Sequence, residues 1–479
     1  MKETLQFGGN QPKIINGLWQ IADMEKSGQM VSEETFSKVA EEYVKNGLPA
    51  FDMADHYGSA ESLCGYFGKN NPLGEKAFFM TKWVPEPGKI NREKTREAIF
   101  SALKNLRRDS IDLLQYHTWN YLDPIWLDHL FWLTELKEEG VIKNLGLTNF
   151  DAIHLRIACA SGIPIATNQV SYSLLDQRAA GTMTDTCKEF GVQILAYGTL
   201  AGGFLSEKWL DKNEPSSLDL DNWSLSKYYR FIQQAGGWAK LQQILQVLKT
   251  ISTKNNVSIS NIASKYIMEK SSVGAVIIGI RPGVSQHLED TLILNSFSLD
   301  SIDQLQIEEV LENFEPIPGD CGDEYRKPPF LTASGDLSHH LNNMPLPYDK
   351  LQGPENSEKV FSGTPWEPMA GYCRAIRKNN RIFVSGTTAN HENRLIGGKD
   401  PAAQTYFILD KIEAAIQSLG GKMEQVVRTR IFVNNVEDWE PVARAHGVRF
   451  NNIQPANTLV EAKLVGNDLL VEIEANVEL

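Results

Sequence analysis

Residues 77–117 read AFFMTKWVPEPGKINREKTREAIFSALKNLRRDSIDLLQYH, and this stretch decides the fold. It opens on an apolar run, 77–83, and closes on a second, 111–117. Between them, 90–107 sets Ile99, Leu103 and Leu106 on one helical face and alternates charge along the other. Strand, helix and strand at this spacing form a βαβ unit. Working outward, similar runs occur at IINGLWQ (14–20), LPAFDMA (48–54), IKNLGLTN (142–149), IATNQVSY (165–172), VQILAYGT (192–199) and AVIIGIR (275–281). Eight such units predict an α/β fold of the (β/α)8 TIM-barrel type. The interval after the seventh run is far longer and contains EKWLDKNEPSSLDLDNWSLSKYYR, which predicts a substrate-covering excursion on the active face.

A chain of 479 residues exceeds one barrel, so a second unit is expected. From 316 to 357 the pattern fades into Pro, Gly, Asn and Asp, a linker or wrapped extension. Order resumes with GYCRAIRKNNRIFVSG, a hairpin turning at Asn379 and Asn380. A helix then starts with Asp400 as N-cap and Pro401 as its first residue, carries Ile408, Ile412 and Ile416 on one side, and stops at Gly420 and Gly421. Further strands and a helical stretch at 436–450 complete a small α+β domain. The reading divides the chain into 1–318 barrel, 319–357 linker and 358–479 second domain.

The net charge of −13 argues against a nucleic-acid partner. Five widely spaced cysteines with no CxxC pair fit reduced thiols, no structural zinc and a cytoplasmic location. No run of the sequence has the length and apolarity of a membrane span, so no membrane association is expected.

The strand runs place unusual polar residues at their C-terminal ends: Asp52, Lys82, His117, Asn149, Tyr197 and Arg281. In a barrel those ends share a face, where catalytic groups collect. Any one of them alone would read as a cap or a solvated terminus; their coincidence points to a site. The chemistry follows from residue types. A phenol with a pKa of about 10 is a poor acid near neutrality, and an ammonium about 4 Å away supplies up to roughly 4 kcal/mol towards acidifying it. Lys82 is assigned that role towards Tyr57, Asp52 the role of holding the lysine cationic, and His117 that of orienting a substrate oxygen. Such a set suits reduction of a carbonyl. Asp55 and His56 read as loop residues.

DMADHYGSAE, MTKW, DLLQYH, GLTNF, NQVSYSLLD and AYGTLAGGFL together resemble the aldo-keto reductase superfamily over residues 12–315. The resemblance implies a catalytic tetrad of Asp52, Tyr57, Lys82 and His117, and a nicotinamide cofactor, NADPH favoured over NADH. It also implies a cofactor site of Gly17, Trp19, Thr148, Asn149, Gln169, Tyr197, Gly198, Leu200, Gly202, Gly279, Arg281, Gln286 and Asp290. In it Tyr197 stacks on the ring, the glycines of GTLAGG clear space for the pyrophosphate, and Arg281 and Gln286 reach the 2′-phosphate.

GYCRAIR, IFVSGTT, VVRTRIFV, PANTLVEA and LVEIEA resemble the RidA (YjgF, UK114) family, whose fold is chorismate-mutase-like. That likeness implies a homotrimer and a ligand pocket involving Tyr372, Ser385, Asn457 and Glu472. Members that hydrolyse imines carry an arginine in a PARS motif; here PANT puts Asn457 in its place. Arg374 and Arg428 are candidates to supply the missing charge. The leading expectation is a reductase of a small carbonyl substrate on a trimeric scaffold. The alternatives are a bifunctional enzyme in which the second domain handles an imine or enamine, and a non-enzymatic nicotinamide sensor.

Overall fold

The computed structural model describes residues 13–88, 90–216, 220, 223–285, 287–327 and 337–479. Eight strands close a parallel barrel in chain order: β1 (Ile14–Gly17), β2 (Ala50–Asp52), β3 (Phe78–Trp83), β4 (Leu113–Tyr116), β5 (Leu145–Thr148), β6 (Ile165–Ser171), β7 (Gln193–Tyr197) and β8 (Val273–Gly279). Every run expected to be a strand contributes one, although IINGLWQ stops pairing at Gly17 and Trp19 already opens a helix, Trp19–Lys26.

Local chemistry explains the alternation. Helix Arg92–Leu106 starts where the Asn91 side chain accepts a hydrogen bond from the Lys94 backbone N–H at 2.9 Å. It buries Ile99, Leu103 and Leu106 against the barrel and ends at Arg107, in the left-handed region at φ 52°. Inside the ring, Ile15, Ala50, Met80, Leu113, Leu195, Ala275 and Ile277 form a separate apolar plug. Asp52, Lys82 and His117 lie at or just beyond the C-terminal strand ends, so they form a polar floor that cannot open downward into water.

The second domain is a seven-stranded sheet in the order β16-β15-β17-β12-β11-β10-β9. Its strands are β9 (Lys350–Gln352), β10 (Glu358–Val360), β11 (Ala375–Lys378), β12 (Arg381–Thr388), β15 (Val426–Val433), β16 (Ala456–Glu461) and β17 (Val471–Glu478), while β13 (Asn390–His391) and β14 (Arg394–Leu395) pair separately. The Asn379 turn, the Asp400 cap on Ala403 N and the buried Ile408, Ile412 and Ile416 lie where the sequence puts them. Helix Pro401–Ser418 covers one face of the sheet through β12 and β17. Phe383, Val427 and Val460 remain exposed.

The segment taken as linker does more than connect. Its last part, β9, pairs with β10, so the second sheet begins at Lys350. Its first part returns to the barrel. The buried Arg178 guanidinium donates to Glu324 Oε2 at 2.8 Å and to the Asp320 carbonyl at 2.9 Å, itself braced by Asp176. Gly322 lies so close to Asn149 that an added Cβ would stand 2.0 Å from its carbonyl oxygen.

The two domains also meet directly, helix Ala152–Ala160 against helix Pro401–Ser418. The His154 ring is held between Asp151 (Nδ1, 2.7 Å) and Asp410 (Nε2, 3.0 Å). Asp128 pairs with His391 at 2.9 Å, and Arg156 with Asp400 at 2.7 Å. Among the described residues no helix is long and apolar enough to cross a membrane.

Candidate active site

The strand ends converge on a cavity of about 540 Å³, the scale of a small-molecule site. Asp52, Tyr57, Lys82 and His117 all line it. Lys82 Nζ donates to Asp52 Oδ2 at 2.6 Å and to the Met53 carbonyl at 3.0 Å. The other Asp52 oxygen accepts from Gln115 Nε2 (2.9 Å) and Gln169 Nε2 (2.8 Å). Both members of the ion pair are almost wholly buried, and these hydrogen bonds offset the desolvation of the carboxylate.

Tyr57 departs from expectation in one respect. Lys82 Nζ stands 4.8 Å from the centre of the phenol ring, and its charge is directed at Asp52. Burial first, and then the Asp52 carboxylate, push the Tyr57 hydroxyl well above the ordinary tyrosine value. Burial also lowers Lys82, with Asp52 opposing the shift. Burial is the main reason that the phenol is raised, and the Asp52 carboxylate that pairs with Lys82 adds to it.

His117 is neutral across the physiological range: burial, followed by the Arg326 charge, holds it well below the ordinary imidazole value. Its Nδ1 lies 3.4 Å from the Thr148 carbonyl, a long contact, and its Nε2 is buried without a hydrogen-bond partner. An orphaned ring nitrogen beside a phenol in a cavity is a place for a substrate oxygen. Of the two loop residues, Asp55 accepts from Val84 N at 2.9 Å and ties the loop to β3, while His56 reaches the cavity wall.

Gly17, Trp19, Thr148, Asn149, Gln169, Tyr197, Gly198, Leu200, Gly202, Gly279 and Arg281 line the same cavity. Asn149, at φ 58°, accepts from the Tyr197 hydroxyl at 2.7 Å. Asp290 is not among the residues lining the cavity; its carboxylate accepts from Ser258 Oγ (3.2 Å) and Asn261 Nδ2 (2.9 Å), at the start of helix Ile259–Met268. The glycines of GTLAGG have a structural use as well: a Cβ on Gly198 would stand 2.2 Å from the Tyr228 hydroxyl, and one on Gly202 2.8 Å from its ring. Gln286 lies outside the described residues.

This set fits a nicotinamide dinucleotide. The Tyr197 ring offers a flat wall, His117 Nε2 an unsatisfied polar atom, and Lys208 and Arg281 the cations that phosphates need. Among the described residues no group of three or more His, Cys, Asp or Glu could hold a metal ion.

Of the excursion's aromatics, Trp209, Trp223, Tyr228 and Tyr229, the sequence leaves open whether they line the pocket or pack the loop; Lys227 and Tyr325 escape it altogether. Lys227 and Tyr228 come from helix Trp223–Gln234 of the long excursion, which reaches across to Trp19 through Trp223, ring centres 6.2 Å apart. Trp209 and Trp223 line the cavity, whereas Tyr229 turns away to donate to Glu214 at 2.7 Å. Tyr325 enters from the inter-domain segment, its ring 5.9 Å from that of His117. Only the run of aromatics at 223–229 hinted at this wall.

In the second domain, Tyr372, Ser385 and Glu472 gather around Arg374, but Arg374 is spent. Its guanidinium donates to the Gly386 carbonyl (2.7 Å), Thr387 Oγ1 (2.8 Å) and, at 3.4 Å, the Tyr372 hydroxyl, and pairs with Glu367 at 3.5 Å. Ser385 Oγ donates to the Cys373 carbonyl at 2.8 Å, and Glu472 lies over Gly386 with its carboxyl raised, first by burial. Asn457 is not with them. It is exposed on β16, two strands from β17, and donates to Thr429 Oγ1 at 2.9 Å. Arg428 is exposed on β15.

Residues 13–312 match the family model described as the aldo/keto reductase family, and residues 364–479 that described as endoribonuclease L-PSP, the RidA group. The aldo-keto reductase YhdN of Bacillus subtilis is 26% identical over 326 residues, 66% of this chain and 94% of the relative. The chloroplastic pyridoxal reductase of Arabidopsis thaliana is 25% identical over 318 residues, 61% of this chain and 81% of the relative. The glycerol dehydrogenase of Gluconobacter oxydans superposes with a TM-score of 0.54 at 22% identity, covering 67% of this chain and 98% of that one, a likeness of fold. With a closed eight-stranded barrel and a family match over most of its length, the chain belongs to the aldo/keto reductase family and carries a RidA-like domain at its C-terminal end.

Proposed function

We propose that the barrel reduces an aldehyde or ketone to an alcohol with NADPH, and that the RidA-like domain assembles the chain into trimers. The observation that carries the reading is the meeting of Asp52, Tyr57, Lys82 and His117 at one cavity, with His117 Nε2 left without a partner. A bound reduced nicotinamide supplies a hydride to the carbonyl carbon. The side chains do the rest. His117 positions the carbonyl oxygen, and Tyr57 delivers a proton to that oxygen as it gains charge. An alkoxide is a far stronger base than a phenolate, and burial penalises both anions alike, so the phenol yields its proton to the nascent alkoxide. Lys82, fixed by Asp52, lies over the phenol and stabilises the phenolate that remains.

Arg281 and Lys208 on the wall support NADPH, whose 2′-phosphate adds negative charge. The uncovered sheet face bearing Phe383, Val427 and Val460 supports self-association through the second domain. The exposed neutral Asn457 and the occupied Arg374 give no support to imine hydrolysis.

The test is NADPH and NADH oxidation by the full chain with a panel of aldehydes and ketones, against Tyr57→Phe. The expected result is turnover that the variant loses by about two to four orders of magnitude. No turnover above the variant with any carbonyl compound would overturn the reading. Light scattering on the same preparation reads the oligomeric state.

A further inference from the structure

The loop that carries Tyr57 is held by a carboxylate outside the tetrad. Helix Ala60–Asn70 follows this loop, and Ser59, the residue before it, is of the type that caps a helix with its own side chain. It makes no such bond. Its hydroxyl donates instead to Glu25 Oε1, and its backbone N–H points at both Glu25 oxygens, 3.2 Å from each. Glu25 belongs to helix Trp19–Lys26, which follows β1. Its carboxylate takes the place of the missing cap, at a helix N-terminus where negative charge is favourable. Gly58, at φ 55°, makes the approach possible: a Cβ there would stand 2.0 Å from Glu25 Oε2. At the start of the same helix, Trp19 stands edge-on to the Tyr57 ring, centres 5.0 Å apart. One helix therefore grips both the reacting phenol and the backbone just after it. On the other side, the Asp55 N–H donates to the Lys82 carbonyl and the Tyr57 N–H to that of Ala54, each at 3.0 Å.

Resting on the carbonyl-reductase reading, we propose that Glu25 is a positioning residue for proton delivery, which by holding Ser59 fixes the Tyr57 phenol against Lys82. Glu25 is not among the residues lining the cavity, so its loss should slow the chemical step and leave binding alone. A proton donor displaced by about 1 Å forfeits up to about a hundredfold in rate.

The experiment compares full-length wild type, Glu25→Gln, Glu25→Ala and Ser59→Ala with NADPH and 4-nitrobenzaldehyde. It reads the single-turnover rate of NADPH oxidation per folded molecule, its solvent deuterium isotope effect, KM, and the Kd of NADPH by fluorescence. Glu25→Ala is expected to lower the rate by about fivefold to fiftyfold, with KM and Kd within about twofold of wild type. The isotope effect should rise as proton delivery becomes limiting. Glu25→Gln keeps an acceptor and most of the rate; Ser59→Ala keeps the backbone N–H and falls between. A Glu25→Ala rate within about twofold of wild type overturns the proposal. So does a loss without a larger isotope effect, or one carried by weaker NADPH binding, since either makes Glu25 a scaffold or cofactor-side residue. Hydrogen exchange of the peptide 54–62, read by mass spectrometry, needs no activity. Faster exchange there in Glu25→Ala, with the barrel strands unchanged, supports the hold on the loop even where wild type reduces no aldehyde and the reductase reading fails; unchanged exchange overturns it.

Discussion

In the barrel, Lys82 pairs with Asp52 beside an open cavity; in the RidA-like domain, Arg374 pairs with Glu367 among backbone carbonyls that take up its remaining donors. Both pairs are buried, and both follow the rule that a charge leaves water only with partners. What differs is the neighbourhood. Lys82 lies over a phenol, and the cavity it shares holds an imidazole nitrogen with no hydrogen-bond partner, while every direction from Arg374 ends on a carbonyl, a hydroxyl or a carboxylate. A buried ion pair marks a reactive site when its surroundings are incomplete, and marks scaffold when they are complete.

The sharpest way to break this contrast is to remove each cation. Lys82→Met should lower carbonyl reduction by about two orders of magnitude or more and, by stranding Asp52, cost about 3–5 kcal/mol of stability. Adding Asp52→Asn should recover part of the stability and none of the rate. Arg374→Met should destabilise the second domain while the reduction rate per folded molecule stays with the barrel. Steady-state rates and urea unfolding on the same samples check both. Equal losses of rate in the two variants would abolish the distinction.

The comparison also separates what the sequence made legible from what it did not. Asp52, Lys82 and His117 stood out because each ends an apolar strand run, and the barrel's topology brings strand ends together whatever their distance in sequence. Lys227 and Tyr325 were not legible. They meet across a helix in the excursion and a Pro- and Gly-rich segment that looks like a tether, and contacts such as the Arg178–Glu324 pair, the Arg178 bond to the Asp320 carbonyl and the close approach at Gly322 turn that segment back onto the barrel. The fate of Arg374 was hidden for the same reason: its partners come from the neighbouring strand β12 and from the turn before helix Trp366–Ala370.

A second effect belongs to the boundary between the two regions. His154 faces Asp151 on its own helix cap and Asp410 from the second domain, and stacks on Tyr121 at 3.4 Å. Arg326 acts on Asp151, and Arg449 binds Asp410. Burial lowers the imidazole pKa, but the two carboxylates outweigh it and raise it to about 9. A histidine raised above its ordinary value of about 6.5 stabilises the fold fully below that value and loses the contribution as pH climbs through about 9. From pH 6.5 to 9.5, wild type should lose on the order of 1–3 kcal/mol more than His154→Gln. Urea midpoints at the two pH values measure this, and parallel slopes in the two proteins would mean that the interface does not depend on the proton.

The smallest expected effect is the most informative about the site. With Tyr57 raised and His117 lowered, neither group changes protonation between about pH 6 and 9, so kcat for reduction should vary less than about twofold over that range. The sign is fixed for each: a raised phenol keeps its proton as pH rises, and a lowered imidazole stays neutral as pH falls. A basic limb setting in at pH 7 or 8 would instead mean that the charge of Lys82 reaches the hydroxyl once substrate and cofactor are bound, with Asp52 drawn away towards Gln115 and Gln169. Repeating the profile with Asp52→Asn tests that origin, since a neutral amide no longer cancels the ammonium and should bring the basic limb to lower pH.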